Sequence, residues 1–289
     1  RDRSVSRGLG DVYKRQRVKR NRKNQKTEKP ISSRTIENYI YMLQPFKERF
    51  GGVSLKSIST MQLNGWLREL ENTQLKNGQF KYGQVTLDRI VYITNAMFQR
   101  AQRKQWISVN PFDSEDFRKP LSRKETQEIT GFSDEELAVI IPALQADLKL
   151  FAPFTMLMET GMRTEELLAL QWQDYDPKTG KVTINKAKTY QTLIKDGKII
   201  GHKSEISETK QGTGNRVVWL SETGRAVMEQ WRQWAPSHTC TKIGATDFMF
   251  GNSKNPQWTH SGLSAALTNR IKNLPNAPAT FRLHRVRHL

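Results

Sequence analysis

The sequence has one cysteine, Cys240, among 289 residues. A single cysteine excludes an internal disulfide framework and any zinc module built from several cysteines. Long apolar runs are also missing, because the longest nearly apolar stretch, Leu150 to Met158, falls far short of the roughly 20 residues that cross a bilayer. Carboxylate clusters at metal-ligand spacing and the G-x-x-x-x-G-K-[ST] motif are absent too, so we expect no metal, no ATP and no other cofactor.

Acidic residues are outnumbered by basic ones, with 28 Asp and Glu against 47 Lys and Arg, a formal net charge of +19. This excess predicts a polyanionic partner. The lack of an apolar run long enough to cross a bilayer predicts no membrane association. Residues 1–28 carry eleven of the basic residues and only three acidic ones. Like charges repel and little apolar surface is available there, so residues 1–29 are predicted to be a basic flexible leader. Whether residues 1–16 are native sequence stays open.

Apolar residues at spacings of three and four predict three helices between residues 30 and 107. The first runs from Ser33 to a stop at Gly51-Gly52. A second begins at Ser59, whose spacing to Gln62 is that of a capping box, and the third runs from about Val85 to Lys104. Together they predict a small helical domain over residues 30–107.

Residues 108–130 lose this periodicity and are predicted to be a linker. A second domain, 131–289, opens with another capping-box spacing at Ser133 and Glu136. Its pattern is helical, including a helix predicted over Thr164 to Gln171, until short β-type runs begin at Lys181 and helices return from Glu222. The predicted fold is mainly α with a small antiparallel β-sheet.

The segment Thr160-Gly161-Met162-Arg163 is the first of three candidate functional motifs. The glycine ends one helix and the arginine begins the next, so the guanidinium of Arg163 is free to point into a groove. Glu166, three residues on, lies on the same helical face and can fix that guanidinium. A simple salt bridge at a helix start is the alternative interpretation.

Two further motifs carry basic side chains. His284, Arg287 and the adjacent His288 form a basic cluster, in which the spacing of three places His284 and Arg287 on one helical face. Lys210 precedes a glycine-containing turn and an apolar strand, so it is predicted at a hairpin tip, with Lys203 as a nearby competitor. Solvated surface positions are the alternative for both motifs.

The three motifs together match the needs of metal-free phosphoryl transfer. Planar guanidinium groups stabilise the extra negative charge on the non-bridging oxygens of the transition state. A lysine or histidine can supply or accept the proton at the leaving or attacking oxygen. Two arginines, a histidine and a lysine therefore predict chemistry on a phosphodiester.

This combination resembles the tyrosine recombinases, the integrases of phages and conjugative elements. Residues 160–170 with Arg163 and Glu166 match the first arginine motif of that family, and His284 with Arg287 matches its His-x-x-Arg box. Lys210 is the best match to the hairpin lysine. The resemblance covers roughly residues 30–289.

The resemblance implies a helical core-DNA-binding domain and a catalytic domain that form a clamp around double-stranded DNA at attachment sites. It implies that Arg163 and Arg287 grip the scissile phosphate and that Lys210 acts as a general acid. His284 would assist proton transfer, with Glu166 and His288 supporting the site. It also implies a homotetramer on DNA in the full-length enzyme, an accessory excision factor, and a location in the cytoplasm of a bacterial cell or phage-infected host.

The nucleophilic tyrosine of the family lies downstream of the His-x-x-Arg box, and all seven tyrosines here precede His284. We therefore expect a C-terminally truncated catalytic domain that binds DNA without cleaving it. A non-catalytic DNA-binding protein with the recombinase fold and a type IB topoisomerase-like enzyme remain the alternatives. Candidate DNA-binding residues in the helical domain share a basic side chain and an expected surface position: Arg34, Lys81, Arg89, Arg100 and Arg103.

Overall fold

The computed structural model describes residues 17–20, 26–29, 32–120, 130–195, 198–208 and 215–288. The chain divides into two compact units. Unit 1 comprises Arg1–Thr126 and Gln191–Lys203, and unit 2 comprises Gln127–Tyr190 and Ser204–Leu289.

Part of the basic leader has regular backbone structure. Strand β1 (Arg17–Arg20) pairs antiparallel with strand β2 (Lys26–Lys29), with Val18 opposite Glu28. Each strand carries a β-branched residue, which favours an extended backbone. The leader predicted as a flexible arm thus contains a two-stranded pair.

Unit 1 contains the three predicted helices: α1 (Ser33–Phe50), α2 (Thr60–Asn72) and α3 (Gln84–Arg103). The predicted capping box before α2 is confirmed, because the Ser59 side chain accepts from the Gln62 backbone and the Gln62 side chain accepts from Ser59 N at 2.9 Å. Such caps satisfy backbone donors that the helix itself cannot pair.

Aromatic side chains from all three helices meet in the core of unit 1. Phe46 of α1 contacts Trp66 of α2 and Phe98 of α3 in edge-to-face geometry, with ring centroids 5.3 and 5.8 Å apart. All three side chains are buried. Edge-to-face pairs of this kind contribute about 0.5–1.5 kcal/mol beyond the burial of apolar area.

The first residues of the predicted linker pack on this core. Phe112 is buried and contacts Phe98, with ring centroids 5.5 Å apart. Asn64 of α2 donates to the carbonyl of Asp116 and accepts from the backbone of Arg118. Residues 110–118 are therefore part of unit 1, and residues 121–129 lie outside the described ranges.

Unit 2 is also mainly helical. Its helices are α4 (Asp134–Gln145), α5 (Leu148–Thr160), α6 (Thr164–Leu167), α7 (Glu222–His238), α8 (His260–Ile271) and α9 (Leu283–Val286). One antiparallel sheet of unit 2 has three strands in the order β3-β4-β7: β3 (Tyr175–Asp176), β4 (Lys181–Ile184) and β7 (Arg216–Trp219). The predicted fold class, mainly α with a small antiparallel sheet, is confirmed.

A separate hairpin joins the remaining strands, β5 (Lys186–Lys195) and β6 (Lys198–Glu208). Its distal part belongs to unit 1 and contacts the start of α1. There the hydroxyl of Thr192 donates to the buried carboxylate of Glu37 at 2.7 Å, and the backbone N–H of Thr192 donates to the Ser33 hydroxyl. The hydrogen bonds satisfy polar groups that burial would otherwise leave unpaired.

The helix predicted over residues 164–171 is wrong in its length, because α6 ends at Leu167. Backbone groups beyond it pair with distant segments instead. The carbonyl of Leu168 accepts from the Gln257 side chain at 2.6 Å, and the carbonyl of Leu170 accepts from Met249 N at 3.0 Å. These long-range partners replace the next turn of helix.

None of the helices among the described residues combines the length and the apolar character that crossing a membrane requires.

Candidate phosphate-binding site

A sharp turn at Gly161 separates α5 from α6. Gly161 has φ 57° and ψ 20°, the left-handed conformation that glycine adopts without steric cost, and its N–H donates to the Leu157 carbonyl at 3.0 Å. The next residue, Met162, is buried in the core of unit 2. Arg163 then stands immediately before the first residue of α6, as the sequence predicted.

Glu166 binds the arginine in the predicted way. Its Oε1 accepts from Arg163 Nη1 at 3.0 Å, and its Oε2 accepts from the Arg163 backbone N–H at 2.9 Å. The Glu166 side chain is 2% exposed, whereas that of Arg163 is 53% exposed. A buried carboxylate therefore anchors a guanidinium that remains accessible at the surface.

A second arginine, Arg216 of β7, shares this carboxylate. Its Nη2 donates to Glu166 Oε2 at 2.9 Å. Burial alone would raise the pKa of the Glu166 carboxyl, but the hydrogen bonds and positive charges of Arg216 and Arg163 outweigh it, so the pKa lies below its ordinary value. Arg216 was not predicted as a site residue from the sequence, because a partner 50 residues away leaves no local spacing signal.

The second motif lies on α9. Leu283 and Val286 are buried, while His284 and His288 are exposed, with their ring centroids 4.9 Å apart. Arg287 follows the last residue of α9 and is partly exposed. Because the apolar residues of α9 point inward, the motif presents its histidines to solvent.

Both motifs are anchored in the core of unit 2. Met162, which precedes Arg163, belongs to the same cluster of buried residues as Leu283 and Val286, which flank the motif histidine. Helix α9 also packs against α5, whose end forms the Gly161 turn. Two segments far apart in the sequence are thus held by one core.

Lys210, the third predicted site residue, lies outside the described residues. The chain enters its segment from β6 and leaves it into β7, the strand that begins with Arg216. The competitor Lys203 is exposed on β6 and belongs to unit 1, whereas Arg163 and His284 belong to unit 2.

Two lysines at the base of the hairpin join β5 to other segments of unit 2. Lys186 Nζ lies 2.9 Å from Asp174 Oδ2 and donates to the Gln171 side chain. Lys188 is 5% exposed and donates to Gln257 Oε1 at 2.6 Å. Neither lysine was predicted as a site residue from the sequence, since their partners are distant along the chain.

The five candidate DNA-binding residues all lie in unit 1. Arg89 and Arg103 are exposed on α3, and Arg100 of the same helix is partly exposed. Arg34 forms an ion pair with Glu37 at 3.1 Å, although its own side chain is 66% exposed. Lys81 is exposed, with its ammonium 5.2 Å from the ring centre of Tyr82.

Solved structures show which class of protein has this fold. The structure of the Tn1549 transposon integrase in complex with a circular intermediate DNA gives a TM-score of 0.69 at 19% identity, covering 99% of this chain and 84% of that chain. A lambda integrase tetramer bound to a Holliday junction gives 0.62 at 14% identity, covering 89% of this chain and 66% of that chain. The chain thus has the fold of the integrases.

The sequence itself gives the family. The model of the phage integrase family matches residues 119–289, more than half of the chain, so the chain belongs to the phage integrase family of tyrosine recombinases. The ICEBs1 integrase of Bacillus subtilis (strain 168) is 25% identical over 180 residues, which is 62% of this chain and 44% of that relative. The chain therefore spans less than half the length of this curated relative.

Proposed function

We propose that the chain supplies the phosphate-binding residues for site-specific recombination of a mobile DNA element, in which phosphodiester bonds are broken and rejoined without a metal ion. The observation that carries this proposal is the buried carboxylate of Glu166, which holds the half-exposed guanidinium of Arg163 at the surface of unit 2. A rigidly held, accessible guanidinium is suited to a phosphate, because its planar N–H groups match two phosphate oxygens.

In this proposal each motif residue has one task. Arg163 and Arg287 bind the non-bridging oxygens of the scissile phosphate and stabilise the charge that develops there. Lys210 protonates the leaving 5′ oxygen, and His284 assists proton transfer. Glu166 orients Arg163, and His288, whose ring lies against that of His284, supports the histidine.

The attacking group of the family is a tyrosine, and no tyrosine follows Arg287 in the 289 residues. We propose that these 289 residues bind DNA and form no covalent bond with it.

The proposed partner is double-stranded DNA carrying attachment sites, with a homotetramer assembling on it in the full-length enzyme. An accessory excision factor and a cytoplasmic location belong to the same proposal. The solved relative seen as a tetramer on a Holliday junction supports an assembly of this kind.

The test begins with binding. Selection from a random-sequence duplex library should enrich one family of sequences, and the enriched duplex should bind the wild-type chain several-fold more tightly than the Arg163→Met variant. Arg225→Met is the matched control, because Arg225 is a partly exposed arginine of unit 2 that donates to the Lys178 carbonyl. Equal binding by wild type and Arg163→Met would refute the role of Arg163.

Cleavage is tested separately with nicked suicide duplexes of the enriched sequence, analysed on a denaturing gel. We expect no protein–DNA adduct from these 289 residues. An adduct would show that a nucleophile is present among them. Relaxation of supercoiled plasmid without sequence preference would instead identify a type IB topoisomerase.

A further inference from the structure

We propose that Arg216 is a positioning residue for Arg163, acting through the carboxylate of Glu166 that both arginines bind. The inference rests on the proposed function, in which Arg163 binds a DNA phosphate. It assigns to Arg216 no contact with the phosphate, only the placing of the group that orients Arg163.

Both guanidinium groups bind the carboxylate of Glu166, each at a different oxygen. Glu166 Oε1 accepts from Arg163 Nη1 at 3.0 Å, and Oε2 accepts from Arg216 Nη2 at 2.9 Å. Oε2 also accepts from the backbone N–H of Arg163 at 2.9 Å, so Arg216 is the second donor at that oxygen. A carboxylate held at both oxygens keeps one orientation, and the charged donor Arg216 strengthens the hold at Oε2.

The side chains of the two arginines differ in the fraction that is exposed to solvent. The Arg163 side chain is 53% exposed, and that of Arg216 is 27% exposed. Of the two guanidinium groups, Arg163 is the one better placed to meet a ligand. Arg216 is turned toward the buried carboxylate.

The negative charge of Glu166 is compensated by both arginines. Glu166 is 2% exposed, and a buried carboxylate is strongly destabilised unless cations and hydrogen bonds compensate it. Two guanidinium groups against one carboxylate leave a net positive charge beside the surface that Arg163 presents. Without Arg216, Arg163 alone would have to compensate Glu166, and its attraction for a phosphate would fall.

The antiparallel sheet of unit 2 holds the backbone of Arg216. Arg216 is the first residue of β7 and is opposite Ile184 of β4 in the antiparallel ladder. Ile184 is buried in the core of unit 2. The backbone of Arg216 is thus fixed by the sheet, which is the kind of element that holds a side chain in one geometry.

A double-mutant cycle tests the inference. The affinity for a fluorescein-labelled duplex is measured by anisotropy for the wild type, Arg163→Met, Arg216→Met and the double variant, at one salt concentration. We expect each single substitution to weaken binding by about threefold to tenfold, an effect that lies within the range of coupling found for residues in direct contact. The loss of affinity in the double variant should be clearly smaller than the sum of the two single losses, because Arg216 acts through Arg163.

A spectroscopic measurement separates positioning from loss of structure. In protein labelled with 15N-arginine, the side-chain Nε signal of Arg163 should shift in Arg216→Met toward that of a solvated arginine, with the backbone amide spectrum of unit 2 preserved. Arg216→Lys should partly restore both the signal and the affinity, because lysine keeps the charge. Arg225→Met should leave the Arg163 signal unchanged.

Two outcomes would overturn the inference. If the two single effects add in the double variant, Arg216 contacts DNA directly. If the Arg163 signal does not respond to Arg216→Met, or to Arg216→Lys where the methionine variant does not fold, Arg216 does not position Arg163. If the proposed function itself is wrong, the result is different: the Arg163→Met variant binds DNA as tightly as the wild type. In that case the Nε signal of Arg163 still shows whether Arg216 positions Arg163.

Discussion

Arg285 Nη2 donates to Glu136 Oε2 at 2.6 Å, although Arg285 stands inside the histidine motif between His284 and Arg287. Its guanidinium also donates to the carbonyls of Thr130 and Gly131. Arg285 thus ties α9 both to α4, through Glu136, and to the segment before α4.

Replacing Arg285 by methionine should therefore destabilise unit 2. The side chains of Arg285 and Glu136 are 15% and 23% exposed, so the pair is largely removed from water. Losing such a charged hydrogen-bonded contact costs about 1–3 kcal/mol in the free energy of unfolding. Urea denaturation measures it, with Arg282→Met as the control because Arg282 is exposed one residue before α9. Equal loss in both variants would contradict this role of Arg285.

Glu166→Gln should lower the free energy of unfolding at pH 7 by about 1–3 kcal/mol, because two guanidinium groups lose an ionised acceptor. The variant should also respond less to acid. The pKa of Glu166 is lowered in the folded protein from its ordinary value of 4.5, so the unfolded chain binds this proton more readily. The stabilisation is fully present above pH 4.5 and is lost as the pH falls through the folded-state pKa.

Thermal denaturation between pH 7 and pH 3 tests whether the stabilisation by Glu166 is lost as the pH falls. The wild type should lose more stability than Glu166→Gln over the acidic part of the range, so that the two curves converge. Glu165→Gln, a neighbouring carboxylate on α6, is the control and should run parallel to the wild type at all pH values. Curves for wild type and Glu166→Gln that stay parallel would show that Glu166 has no depressed pKa.

Local spacing explains what the sequence could predict. The capping boxes at Ser59 and Ser133 and the Arg163–Glu166 pair all join residues three apart, and the structure has each of them. Pairing between distant segments carries no such signal. Arg216 reaches Glu166 across 50 residues and Arg285 reaches Glu136 across 149, so neither contact was predicted. The same reason made α6 too long in the prediction, since its end is determined by partners near residues 249 and 257.

Three of the candidate DNA-binding arginines share one side of α3. Arg100 follows Arg89 by about three helical turns, and Arg103 follows Arg89 by about four. These spacings bring the three side chains into one sector of the helix. Tyr92, 69% exposed, lies near that sector. A row of arginines beside an exposed aromatic ring is suited to follow a phosphate backbone.

Arg89→Gln and Arg103→Gln should each weaken binding to duplex DNA and reduce the slope of log affinity against log salt by about 1, because one phosphate contact is lost. Anisotropy titrations at several salt concentrations measure that slope. Arg68→Gln is the control, since Arg68 is an exposed arginine on α2, outside the row. A slope that falls equally for all three variants would show that α3 has no special part in binding.

Lys188 makes the stability of unit 2 depend on pH at the alkaline end. Burial lowers the pKa of its ammonium group from the ordinary 10.5, and its partners, Gln257 Oε1 and the Trp258 carbonyl, are both uncharged. Gln257 in turn donates to the carbonyl of Leu168, so the lysine is linked through Gln257 to the residue that follows α6.

Between the lowered pKa of Lys188 and 10.5, the unfolded chain binds more protons than the folded one, so the stability of the wild type rises with pH in that window. Lys188→Met has no such proton to lose. The stability of the wild type relative to Lys188→Met should therefore increase from pH 7 to pH 10 in urea denaturation, while the same comparison for the exposed Lys254→Met stays constant. A constant difference for Lys188→Met would mean that the buried ammonium titrates as it does in the unfolded chain.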